Sequence, residues 1–221
     1  MPMPRKRRWR ALPLLIGAGT IASASAATPD TVGAVADGAW VLRQLAQPAP
    51  TKTDFVELRD SPLLKAPLRI SGEYRRPDDA TLVRDVRAPY AETTTIREGQ
   101  ATIVRGTRSR SFALSRVPEL AGLQASFGAL LAGDGATLER HYRIDTAGTR
   151  QHWTLTMVPR DAALAAKVRD IVLHGRGAEL RCIETNPARG GEVQRTLLAS
   201  AARAAQGVAD GKALAALCTA D

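Results

Sequence analysis

The sequence predicts a mainly β, α+β domain in which about eleven short antiparallel strands form one sheet curled over helices. Three observations carry this. Apolar and polar residues alternate with a period of two through many short segments, as in Leu68 to Tyr74 and Trp153 to Met157. Glycine and proline punctuate those segments. Apolar residues recur at three- and four-residue steps near the start, middle and end of the chain, where helices are expected.

The first 26 residues read as a secretory signal peptide. Arg5, Lys6, Arg7, Arg8 and Arg10 precede the short apolar core ALPLLIGAGTIA, and Ala24, Ser25 and Ala26 supply a small-residue cleavage site. The core is too short to span a bilayer. Cleavage after Ala26 leaves 221 − 26 = 195 residues, enough for one domain with a real core. No cysteine lies near the cleavage site, so the expected product carries no lipid there and is soluble.

Val32, Val35, Ala39 and Leu42 have helical spacing, and Pro48 and Pro50 end that segment. From Thr53 to Arg105 the chain reads as successive strands. Leu68, Ile70, Gly72 and Tyr74 line one face of the first well-defined strand, and Pro77 stops it. ETTTIREGQATIVR reads as a hairpin around Glu98–Gly99, followed by a strand from Ser109 to Leu114. Val117, Leu120, Leu123, Phe127, Leu130 and Leu131 form a helical stripe with Pro118 in its first turn and Gly133 at its stop. Ordinary core and a helix over a cavity are both consistent with that stripe. A second hairpin follows, with Trp153, Leu155 and Met157 on one face and His141 and His152 both placed on its strands. Segments 170–174, 178–184 and 192–199 read as three more strands, and the alanine-rich tail from Ala201 reads as one helix to about Leu217.

The net charge of +9 includes five basic residues of the leader, so 9 − 5 = +4 remains. Those charges are scattered among acids and aromatics make up only 4%, which excludes a nucleic-acid interface of the usual stacked, basic kind. Three histidines without further ligand spacing give no metal site. No GxSxG elbow, phosphate loop or CxxC occurs, so no catalytic residue and no cofactor is expected. Cys182 and Cys218 are the only cysteines. An oxidising compartment permits a bridge between them, and their spacing does not decide it.

An ordered set of segments carries a family resemblance. GEYRRPD is followed by Leu82, Val86, Pro89 and Glu92, then by LAGLQASFGALLAGD, WTLTMVPRD and IVLHGRGAELRCIETNPARGG. This order, behind a signal peptide and across roughly residues 53–200, resembles the outer-membrane lipoprotein carrier (LolA-like) family. The resemblance implies an incomplete antiparallel half-barrel wrapped around an apolar cavity, with helices as a lid. It implies a soluble periplasmic protein of a Gram-negative bacterium that shields acyl chains of lipoproteins between inner and outer membrane. Partners would be the acylated cargo, an inner-membrane exporter and an outer-membrane acceptor, with the carrier itself a monomer. Leu68, Ile70, Tyr74, Trp153, Leu155 and Met157 would face the cavity, and Leu120, Leu123, Phe127 and Leu130 the lid. Arg76 matches the family's arginine just before a strand-ending proline, which latches the lid; Arg75 takes that place if the register slips by one. A carrier or assembly factor for another lipid or a polyene-type product is the alternative on the same fold. A secreted hydrolase is disfavoured for want of a nucleophile motif.

Overall fold

Eleven strands form one sheet in the computed structural model, which describes residues 33–59, 68–116, 128–208 and 210–219. They are β1 (Thr51–Arg59), β2 (Leu68–Asp78), β3 (Thr81–Ala88), β4 (Glu92–Arg97), β5 (Gln100–Arg105), β6 (Arg108–Ala113), β7 (Tyr142–Gly148), β8 (Trp153–Pro159), β9 (Val168–Arg176), β10 (Glu179–Pro187) and β11 (Gln194–Leu198). The spatial order is β6-β5-β4-β3-β2-β1-β11-β10-β9-β8-β7. Every pairing is antiparallel. Two hairpin-connected runs therefore meet where β1 pairs with β11, and β6 and β7 remain as edges of an open sheet. The expected half-barrel order is present.

The period-2 pattern fixes which side chains share a face. Phe55 lies opposite Gly72 and Leu198, Tyr74 opposite Arg84, and Met157 opposite Ile171. Following those registers strand by strand puts Ile96, Ile103, Phe112, Leu173 and Ile183 on the same side as Phe55. At the β4–β5 hairpin, Glu98 and Gly99 both adopt positive φ, 49° and 72°, as a two-residue hairpin loop requires.

The inner face holds most of the core. Leu155, Leu173, Met157 and Trp153 pack with Val41, Leu42 and Leu45 of the Gly38–Leu45 helix and with Leu130 and Leu138. A second inner cluster joins Phe55, Ile70, Val86 and Leu198. The outer face carries a separate cluster, in which Val56, Cys182 and Leu197 meet Ala201, Ala202, Ala205, Leu214 and Cys218 of the last two helices. Cys182 and Cys218 are disulfide-bonded with their Cα atoms 5.1 Å apart, which ties the last helix to β10.

Four local expectations are corrected. The first helix begins at Gly38, because the Asp37 side chain accepts the Trp40 N–H as an N-cap. Val35 is instead 75% exposed and bridges to Thr149 beside β7. The tail is two helices, Ala199–Ala204 and Gly211–Thr219, separated around Gly207 at φ 76°. His141 ends the Gly135–His141 helix rather than lying in a strand, so β7 separates it from His152. Pro77 does not end its strand: β2 continues to Asp78 with its ladder irregular past Arg75, where proline offers no N–H. The signal peptide and the 117–127 part of the amphipathic stripe lie outside the described residues, while 128–132 is helical.

Candidate functional site

The inner face of the sheet encloses a cavity of about 540 Å³. One wall is Ile96, Ala101, Ile103, Phe112 and Leu114, from β4 to just past β6. The facing wall is Met157, Ile171, Leu173 and Ile183 from β8 to β10, with Tyr142 and Leu130 completing it. Several of these, including Ile96, Ile103, Phe112 and Ile183, are only half-buried. Apolar side chains that fold inward yet stay incompletely covered are what a site for hydrocarbon needs. A volume of this size falls in the range that holds one small or medium ligand.

Sequence-predicted residues separate into four groups. Tyr74, Leu130 and Met157 are on the cavity wall. Ile70 and Leu155 are fully buried within the two inner clusters and do not line the cavity, and Leu68 packs at the margin of one of them. Trp153 donates its indole N–H to the Gly177 carbonyl at 2.9 Å and lies across Gly175, where a Cβ would meet the ring at 1.9 Å. Leu120, Leu123 and Phe127 lie outside the described residues.

Arg76 sits at the end of β2 with its side chain only 11% exposed. It donates through Nη1 to the backbone carbonyl of Gln47, just past the Gly38–Leu45 helix, and pairs with the Asp79 carboxylate. The Gln47 N–H in turn donates to the Leu131 carbonyl at 3.2 Å. One arginine thus connects a strand end to two helical segments on the inner side. Arg75 instead pairs weakly with Glu73, 3.7 Å away.

The sequence reading missed a polar cluster in the middle of the apolar face. Glu57 is 2% exposed and projects from β1 on the same side as Phe55. Its Oε1 accepts from Arg59 Nε at 2.7 Å and from Gln194 Nε2, and its Oε2 accepts from Arg84 Nη2. Arg84 also stacks over the Phe55 ring, 4.9 Å from its centre. Burial alone would push the Glu57 carboxyl up, but hydrogen bonds and charge from Arg59 and Arg84 outweigh it and hold the group below the ordinary glutamate range. Burial raises the Tyr74 phenol, which stays protonated beside Arg84. Burial works against the charge on Arg84, but Glu57 reverses this and keeps the guanidinium ionised. The clue was present in FVELR: Phe55, Glu57 and Arg59 fall on one face by strict alternation, so two charges continue an apolar row.

Among the described residues no three His, Cys, Asp or Glu gather as metal ligands, and no helix is long and apolar enough to cross a membrane.

Comparison with known proteins gives a family match and two similar solved structures. The family described as outer membrane lipoprotein carrier protein LolA-like matches residues 26–221. A solved LolA superfamily protein from Nitrosomonas europaea is similar at 10% identity and TM-score 0.38, covering 72% of this chain and 90% of that one. The MucA/MucB complex of Pseudomonas aeruginosa is similar at 16% identity and TM-score 0.42, covering 74% of this chain and 56% of that one. No curated protein matches in sequence.

Proposed function

Because the chain belongs to the outer membrane lipoprotein carrier LolA-like family, whose members are binding or carrier proteins, we propose that it carries acyl chains of lipoproteins across the periplasm. The observation that supports this most is the half-covered apolar cavity on the inner face. Each methylene moved out of water contributes about 0.8 kcal/mol, so an exposed acyl chain does not cross an aqueous compartment unshielded. A cavity that is open to one side takes up such a chain and still gives it up.

In this reading the domain is residues 27–221 after cleavage of a leader, and Arg76 is the latch. It holds the strand end against the segments at Gln47 and Leu131. Breaking that contact lets those segments move off the cavity. The cargo comes from an inner-membrane exporter and goes to an outer-membrane acceptor.

The test uses the purified protein and a triacylated lipoprotein held in detergent. Detergent is removed, and gel filtration follows the lipoprotein. A water-soluble complex of carrier and lipoprotein is expected. Precipitation of the lipoprotein with the carrier left unoccupied, and no uptake of a fluorescent acyl probe either, removes the carrier reading. Sequencing the exported protein from Met1 rather than Ala27 removes the leader.

A further inference from the structure

An acyl chain linked through an ester or an amide carries no charge, so a cavity for it alone has no use for an arginine pair in its wall. Arg59, Tyr74 and Arg84 nonetheless line the cavity, and the buried Glu57 holds both arginines from beneath. A buried ion pair costs desolvation and often adds little stability against apolar packing. The local sum is two guanidinium charges against one carboxylate, 2 − 1 = +1. Glu92 also lines the cavity from β4, on the same face and diagonal to Arg84, so with it the cavity's charges balance at 2 − 2 = 0 and the cluster's distinction is a positioned guanidinium rather than an excess of positive charge.

The donor count also leaves capacity. A guanidinium has five N–H groups in a planar fork; among the described residues Glu57 takes one from Arg84 and one from Arg59, and Tyr74 shares a hydrogen bond with Arg84. Arg84 is 17% exposed and Arg59 49%, so both remain reachable from the cavity side. Arg84 is fixed by Glu57 on one side and by the Phe55 ring beneath it. It is a positioned cation inside an apolar enclosure, where an anion is held more strongly than at the surface.

Building on the carrier reading, we propose that the cavity prefers an amphiphile with an anionic end group, a carboxylate or a phosphate, which docks on Arg84 and Arg59 while its hydrocarbon lies between Ile96 and Met157. Thr94, Thr185 and Thr196 line the cavity and extend this polar zone. Glu57 is a positioning residue: it orients the arginines and does not meet the ligand's anion. The same site would serve the head of a long-chain acid or the phosphate of a membrane lipid, and the two sources are separated by the test.

The affinity of the purified protein is measured for hexadecanoate against its methyl ester, and for hexadecyl phosphate against hexadecanol. A charge-assisted hydrogen bond is worth a factor of about ten or more in affinity. At least one anion should therefore bind about tenfold more tightly than its neutral partner, and the pair that shows this identifies the head group. Arg84→Gln should erase the ratio, while Arg84→Lys should keep most of it. Ratios near one for both pairs in the wild-type protein overturn the proposal, and they do so whether or not Arg84→Gln folds. A ratio that persists in folded Arg84→Gln overturns the assignment to Arg84. If neutral and anionic probes bind equally, the carrier reading stands and only this inference falls. If none of the four binds, both fall.

Discussion

On the outer face of the sheet, alanines of the Ala199–Ala204 helix come down on Val56, Cys182 and Leu197, and a disulfide fastens the last helix to β10. On the inner face, large side chains from both runs of strands point inward but leave a cavity between them, with a buried ion cluster in the wall. One sheet thus has a side that is closed covalently and a side held by non-covalent contacts such as the one from Arg76. The contrast suits a carrier, which must keep its frame while its binding side opens and closes. Small residues on the outer side permit close helix–sheet approach. Branched and aromatic residues on the inner side fill the space unevenly.

The largest effect that separates the two faces is expected from the disulfide. The bridge closes a loop between residues 36 apart, and in the chain-entropy account its loss costs about 3–4 kcal/mol. Replacing Cys182 and Cys218 with alanine should lower the urea midpoint accordingly. Affinity for an acyl probe, measured where the variant remains folded, should be unchanged, since neither cysteine reaches the cavity wall. A folded variant that has lost probe binding would show that the two faces are coupled and would break the comparison.

A smaller effect, of opposite kind, is expected at Arg76. Arg76→Leu removes a charge-assisted hydrogen bond to Gln47 worth about 1.5–3 kcal/mol. If the contact is a latch, the balance between covered and open cavity shifts by about tenfold or more. Rates of probe uptake and release should both change, while the urea midpoint moves less than in the cysteine variant. Arg143→Gln, on the exposed side of β7, is the control and should change neither. Equal kinetics for the Arg76 variant and the control leave the cavity in place and remove the latch.

These differences explain what was legible beforehand. Strands with an uninterrupted apolar row, such as Trp153, Leu155 and Met157, reveal their inner face directly, because period two survives any tertiary context. The hairpin at Glu98–Gly99 was equally plain, since few residues tolerate positive φ. The first helix starts later than its spacing suggests, because helical spacing continues back through Val35 while the Asp37 cap that starts the helix is one side-chain hydrogen bond. The wall of the cavity was only partly legible. Tyr74, Leu130 and Met157 lie on it, yet Ile70 and Leu155, on the same face of the sheet, are fully buried in the core clusters and do not line it. Periodicity assigns a face but not which part of that face other elements cover, as the Gly38–Leu45 helix covers Leu155. The ion cluster was the hardest. Glu57 and Arg84 are 27 residues apart, and only the β1–β2–β3 registers bring them together.

The smallest effect is the acid response of that cluster, since it leaves the protein untouched near neutral pH. Glu57 has its folded-state pKa held below the ordinary value by Arg59 and Arg84 despite its burial. A depressed carboxyl contributes stability that is fully present above the unfolded-state pKa, about 4.3. That contribution fades as the pH falls below this value and through the lower folded-state pKa, where the unfolded chain binds the proton first. Urea midpoints should therefore fall as pH drops from about 5 toward 2. The exposed carboxyls of Asp78 and Asp134 are also held low, by Thr81 and Thr137, so part of the slope belongs to them. Glu57→Gln isolates the cluster. It removes the titrating group and keeps one acceptor oxygen, so the bond to either Arg59 or Arg84 is lost with the charge. Its midpoint should start lower at neutral pH and fall less steeply in acid, so the two curves converge. Parallel curves would mean that Glu57 is not the group whose charge secures the inner face.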